Sequence, residues 1–230
     1  MSRAARAFHI PGIVFLFFAF VLLFLVSISL PYLTAIDFVR VHAQTGGSLG
    51  TSTDANAIDE LRFGSWASCS YAVNGGRTCL PAGHGYSTKL GDQSGNIITI
   101  GPSWTRGLAI HPVCAGVTLI AFGLSLSTHL TLRLCASLVS FLAATLTLIA
   151  FAIDIALYAY VKHQMGKLSG AKLDTDTAPA FWMTFVSLIL LLLAGTTVCF
   201  GRRKDKMDGA TSYPMSSTKK SWVGGLFKKN

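Results

Sequence analysis

Long uncharged apolar runs alternate along this chain with segments that hold nearly all of its charge. Residues 11–33 give 23 positions without a charge, and residues 109–127 give 19 in which His111 is the one basic side chain. Residues 134–161 give 28 broken by Asp154, and residues 181–200 give 20 more without charge. About 20 apolar residues are needed to cross the hydrocarbon core, so the pattern predicts four membrane-spanning helices. They leave residues 1–10 as an N-terminal segment, connections at 34–108, 128–133 and 162–180, and a tail at 201–230. The first run exceeds the 7–15 apolar residues of a secretory signal, and a Val41-x-Ala43 cleavage pattern lies well beyond its end, so it reads as a retained span.

Composition agrees: 51% of residues are apolar and 13% charged, against about 25% charged in soluble domains. The net charge of +9 is uneven, with eight of the 19 Lys and Arg after Gly201. Beside a span, such charge is first a topology signal and second a surface for anionic inner-leaflet lipid, with Arg202, Arg203, Lys204 and Lys206 the basic cluster that would face it. It does not indicate nucleic acid, and no DNA-binding module is present. Arg3, Arg6, Arg133 and the tail cluster fall on one side of the predicted bundle, so both termini are expected to be cytoplasmic and the 34–108 connection outside.

Cysteine usage fits that placement. Cys69 and Cys79 lie in the outside connection and read as a disulfide, two free thiols being the alternative, while Cys114, Cys135 and Cys199 lie in or at the ends of spans. Residues 45–56 are rich in Gly, Ser and Thr and read as a connector. Residues 63–73 and 96–100 are strand-like, and Asn74-Gly75-Gly76 supplies a turn that brings the two cysteines across a hairpin. The expectation is a four-helix membrane bundle with a small disulfide-linked β-sheet in the first outside loop.

Asp154 is the most informative single residue, because a carboxylate in mid-span must face protein or water. It reads as a polar staple in the bundle interior, with a proton or ion relay as the alternative. His111 on the second span is a candidate partner at poorly matched depth, and Thr147 and Tyr158 on the same helix face are equally good donors. Gly116, Ala143, Ala144 and Ala152 would let helices pack closely. The six histidines show no metal-ligand spacing, and there is no nucleophile elbow or phosphate loop. Neither enzyme activity nor a cofactor is expected.

The segment Phe63-Gly64-Ser65-Trp66-Ala67-Ser68-Cys69 with Cys79 resembles the fungal PalI family and, more loosely, the claudin-like four-span superfamily. So does the run from Leu148 through Asp154 to Val161, together with Pro179-Ala180-Phe181-Trp182-Met183-Thr184. The likeness covers roughly residues 60–203. It implies a plasma-membrane protein without catalysis that assists a seven-span receptor in ambient-pH signalling, leading to proteolytic activation of a transcription factor. Related four-span proteins instead organise eisosome-type membrane domains, by self-association, and affect endocytosis, cell wall and septum. Phe63, Gly64 and Trp66 are the loop motif that carries this likeness. The tail, about 30 residues, departs from the family's long low-complexity extension. A small channel or proton-linked transporter using Asp154 and His111 is the remaining alternative.

Overall fold

The computed structural model describes residues 3–43, 58–91, 97–127, 129–168 and 173–211. The predicted connector at 45–56 and the tail beyond Thr211 lie outside the described residues.

Among the described residues, four helices are long and apolar enough to cross a membrane, as a multi-pass membrane protein requires. Helix α1 (Arg3–Ser27) ends six residues short of the predicted boundary at Leu33. Pro31 explains this, since it lacks an N–H and disfavours helical geometry at Leu30. The second span is stepped. A short helix α2 (Pro102–Thr105) and a 3-10 turn (Arg106–Ala109) lead into α3 (Ile110–Ser125), so helical structure begins ahead of the predicted residue 109. Helix α4 (Leu130–Met165) overruns the predicted 134–161 at both ends, and α5 (Pro179–Thr211) continues past the apolar stretch of the fourth span into the basic residues.

The connections build a five-stranded antiparallel sheet in the order β4-β3-β2-β1-β7, with a two-stranded β5-β6 ribbon beside it. The strands are β1 (Val39–Ala43), β2 (Ile58–Phe63), β3 (Ser68–Ala72), β4 (Arg77–Cys79), β5 (Thr88–Gly91), β6 (Ile97–Ile100) and β7 (Leu173–Thr177). The sheet is therefore not confined to the first loop. β7 comes from the third connection and pairs with β1 from Val39↔Thr177 to Ala43↔Leu173, closing the sheet across two loops. The predicted 63–73 strand also divides, with β2 ending at Phe63 and β3 beginning at Ser68.

The β3–β4 hairpin turns on Gly75, whose positive φ of 82° is open to glycine, while Gly76 N–H donates to Asn74 Oδ1 at 2.8 Å. It sets Cys69 directly opposite Cys79, with Cα atoms 4.0 Å apart and the two sulfurs bonded. In β1 the side chains alternate. Val39 and Val41 are buried and pack towards Leu157, Val161 and Met165 of α4, while Arg40 and His42 occupy the opposite face. Deeper in the bundle the buried positions are largely small, with Ala19, Ala115, Ala121, Ala143, Ala144, Ala150 and Ala194 allowing close helix approach. Gly116 and Ala152, expected in that packing, are exposed on the bundle's outer surface instead. Phe18, Leu138, Leu142 and Leu148 share that surface and contact the bilayer.

Candidate functional site

A helix end leaves its last carbonyls without intrahelical donors. Here the N–H groups of Ile28 and Ser29 reach back to the Phe24, Leu25 and Val26 carbonyls, and further donors come from the first loop. Ser65 Oγ donates to the Val26 carbonyl at 3.2 Å, Trp66 Nε1 donates to the Ser27 carbonyl at 2.7 Å, and Trp66 N–H donates to the Leu30 carbonyl at 3.3 Å. Ser65 N–H donates in turn to Ser29 Oγ at 2.9 Å. The motif residues thus have separate tasks. Phe63 is fully buried in the core, and its carbonyl accepts from Phe38 N–H at 2.8 Å. Gly64 lies so close to Leu30 that a β-carbon would strike its side chain and come within 2.9 Å of its backbone nitrogen. Trp66 carries the cap. We call the arrangement a clasp.

The clasp is braced from behind. The Tyr86 hydroxyl donates to the Gly64 carbonyl at 2.8 Å, and burial pushes that hydroxyl well above its ordinary pKa. Thr105 Oγ1 donates to the Tyr86 carbonyl at 2.6 Å, and the Ser68 and Thr88 hydroxyls meet at 2.6 Å. Ser29, Tyr86 and Thr105 give no sequence signal, since an isolated hydroxyl has no spacing pattern, and Ser65 enters the sequence reading only within the segment that carries the family resemblance.

On the opposite face of the sheet, four charges interlock. Arg40 holds the fully buried Asp37 carboxylate with two hydrogen bonds of 2.8 and 3.0 Å and lies 3.1 Å from Glu60. Arg62 forks onto Glu60 at 2.8 and 2.9 Å, donates to the Thr34 carbonyl at 3.0 Å, and stacks over Tyr71 at 4.4 Å. Partial burial alone would raise the Glu60 pKa, but the Arg62 hydrogen bonds and the two guanidinium charges outweigh it and hold the carboxyl below its usual range. The hydrogen bond to Asp37 holds Arg40 above its ordinary value.

Inside the bundle, Asp154 and His111 do meet. His111 Nε2 is 3.3 Å from Asp154 Oδ2, and Thr184 Oγ1 of α5 is 3.4 Å from the same nitrogen. The expected depth mismatch was an error of span boundaries. His111 lies nine residues after Pro102, and Asp154 lies eleven before Met165, so at about 1.5 Å per residue both sit a similar distance below the helical ends. The rival donors are engaged elsewhere: Thr147 with the Ala143 carbonyl at 2.8 Å, and Tyr158 with the Thr175 carbonyl of β7 at 3.3 Å. The Phe38 ring lies 4.8 Å from the imidazole, so this cluster supports the floor of the sheet.

Arg202, Arg203, Lys204 and Lys206 fall on the continuation of α5. Among the described residues, no three His, Cys, Asp or Glu side chains group as metal ligands do. No curated protein matches the chain. The profile of the SUR7/PalI family matches residues 8–194, from the first span into the fourth, and the chain belongs to that family.

Proposed function

We propose that this chain is a non-enzymatic accessory protein of the plasma membrane, with both termini cytoplasmic and the sheet outside. It binds a seven-span pH receptor laterally and so assists proteolytic activation of a downstream transcription factor at alkaline pH. Family membership supports the class of protein. The observation that carries the mode of action is the fixing of the sheet to the bundle. The clasp ties it to α1, β7 ties it to the third connection, and the Ala178 N–H bond to the Phe38 carbonyl at 3.1 Å ties it to the start of α5. A polar face carrying Arg40, His42, Glu60 and Arg62 is thereby held at constant height over the membrane, as presentation to a neighbouring membrane protein requires.

The lateral contact has a candidate surface on α3. Gly116 and Gly123, seven residues apart, are both exposed, and a β-carbon at either meets open space. Small residues on an exposed helix face permit close approach of another helix. The same face favours a second reading, in which copies of this chain associate and organise a membrane domain, with the basic cluster from Arg202 to Lys206 held by anionic inner-leaflet lipid.

The test is to delete the gene, restore either the native chain or Gly116→Leu, and image a tagged seven-span receptor while scoring growth at alkaline pH. The accessory reading expects the receptor to leave the surface, and alkaline growth to fail, in the deletion and in the variant. A normally placed receptor with dispersed membrane patches would replace it by the organiser reading.

A further inference from the structure

The buried cluster of His111, Asp154 and Thr184 is short of one hydrogen. His111 Nδ1 is 2.9 Å from the Leu108 carbonyl oxygen, and a carbonyl can only accept, so Nδ1 carries a hydrogen. In a neutral ring Nε2 is then a lone pair. It faces Asp154 Oδ2 at 3.3 Å and Thr184 Oγ1 at 3.4 Å. The Thr184 hydroxyl, 3.0 Å from the Ala180 carbonyl, has one hydrogen for that oxygen, Nε2 and the Asp154 carboxyl, so whichever it serves, the 3.3 Å line between Nε2 and Oδ2 holds no hydrogen from it. A neutral imidazole beside an ionised carboxylate would set lone pair against lone pair. His111, Asp154 and Thr184 all have zero exposure, and Asp154 Oδ1 has no hydrogen-bond partner among the described residues. Such an arrangement is costly without a hydrogen between the groups.

We propose that His111 and Asp154 bind one shared proton between Nε2 and Oδ2, and that this proton latches α3 to α4 beneath the sheet. An imidazolium with a carboxylate, or an imidazole with a carboxylic acid, contains the same single proton and leaves the pair without net charge. The surroundings supply no substitute for it. From α3 the Cys114 thiol lies within electrostatic reach of Asp154, and from α5 comes the Thr184 hydroxyl. From the segment before β1 comes the Phe38 ring, whose neighbour Asp37 is engaged by Arg40. On α4, Thr147 and Tyr158 give their hydroxyls to other carbonyls. Phe38 also carries the backbone bonds to Phe63 and Ala178, so the latch lies under the joint between sheet and bundle.

The sign of the effect follows from linkage. The latched state holds a proton that unfolded His and Asp have released above about pH 6.5, so its contribution declines as pH rises, by at most about tenfold in equilibrium constant per pH unit. The experiment is amide hydrogen exchange on the purified full chain, from about pH 6 to about pH 9, corrected for the intrinsic pH dependence of exchange. The native chain is expected to lose protection over residues 36–41 and 108–114 as pH rises. Asp154→Asn places an amide N–H where the shared proton lies, so its protection is expected to stay level. Identical profiles in the two proteins, rising, falling or flat, would overturn the proposal. Nitrogen chemical shifts of His111 in the native chain give a reading that does not depend on the variant. At about pH 6, where the latch is complete, they should show a hydrogen on Nδ1 and a hydrogen shared between Nε2 and the Asp154 carboxyl; a bare Nδ1 there contradicts it.

Discussion

At the sheet-bearing end, the helices close on Phe38, Phe63, Leu108, Leu157 and Met165, and polar side chains cross from one element to another. Farther into the bundle, Ala19, Ala121, Ala143 and Ala194 are buried beside Leu16, Leu23 and Leu191, and the hydroxyls of Thr118, Ser140 and Ser187 donate to carbonyls four residues back in their own helix. The difference reflects the surroundings. Where water can reach, burying large apolar groups is favourable and polar groups must find partners across the fold. Within lipid, burial gains little, so helices adhere by close approach, and hydroxyls are satisfied locally. Function should concentrate at the first end, where geometry depends on contacts between distant parts of the chain.

Substitutions can break that contrast. The largest effect is expected at Gly64→Leu, which drives a side chain into Leu30 and opens the clasp. It should cost about 3 kcal/mol and leave little folded protein at the membrane, measured by surface labelling and resistance to unfolding in detergent. Replacing Cys69 and Cys79 together by Ser should cost roughly 2–3 kcal/mol, read as increased protease cleavage of the loop while the helices keep their circular dichroism. In the Ala-rich half, Ala143→Leu should cost about 2 kcal/mol by overpacking, whereas Gly116→Leu on the outer surface should leave unfolding unchanged. An equal loss in those two would remove the distinction between inner and outer small residues.

Two smaller effects sharpen the account of the sheet end. Trp66→Phe keeps the ring but leaves the Ser27 carbonyl without its donor, at about 1–2 kcal/mol in denaturant titration. Glu60, whose carboxyl is held below its usual range, adds stability that is complete above the ordinary glutamate pKa and is lost as pH falls through the lowered value. Acid unfolding of the native chain should therefore be steeper than that of Glu60→Gln, and matching curves would remove Glu60 from the network's energetics.

The parts legible in the sequence were those with a period, a length or a paired residue type. Four spans followed from apolar runs, the hairpin from Asn74-Gly75-Gly76 between cysteines, and the buried carboxylate from Asp154 in mid-span. β7 escaped because Leu173-Asp174-Thr175-Asp176-Thr177 has one apolar residue, and the side chain it buries at its centre is Thr175. Val39-Arg40-Val41-His42-Ala43 does alternate, but five residues beside a span are easily read as the run-out of a helix. The meeting of His111 with Asp154 depended on two helix ends several residues from where apolarity stops. The clasp rests on hydroxyls and an indole whose partners are 36 to 39 positions away on α1 and the turn after it, a separation no local pattern encodes.

The central claim is that the Gly64-Ser65-Trp66 clasp and the end of α1 form one cooperative unit. Amide exchange on the purified full chain, native against Gly64→Ala, tests it most directly. The account predicts that residues 26–30 and residues 61–72 lose protection together in the variant, while α3 and α4 below the cluster keep theirs. Residues 26–30 remaining protected while the sheet alone opens would show that the end of α1 stands without the loop, and would contradict it.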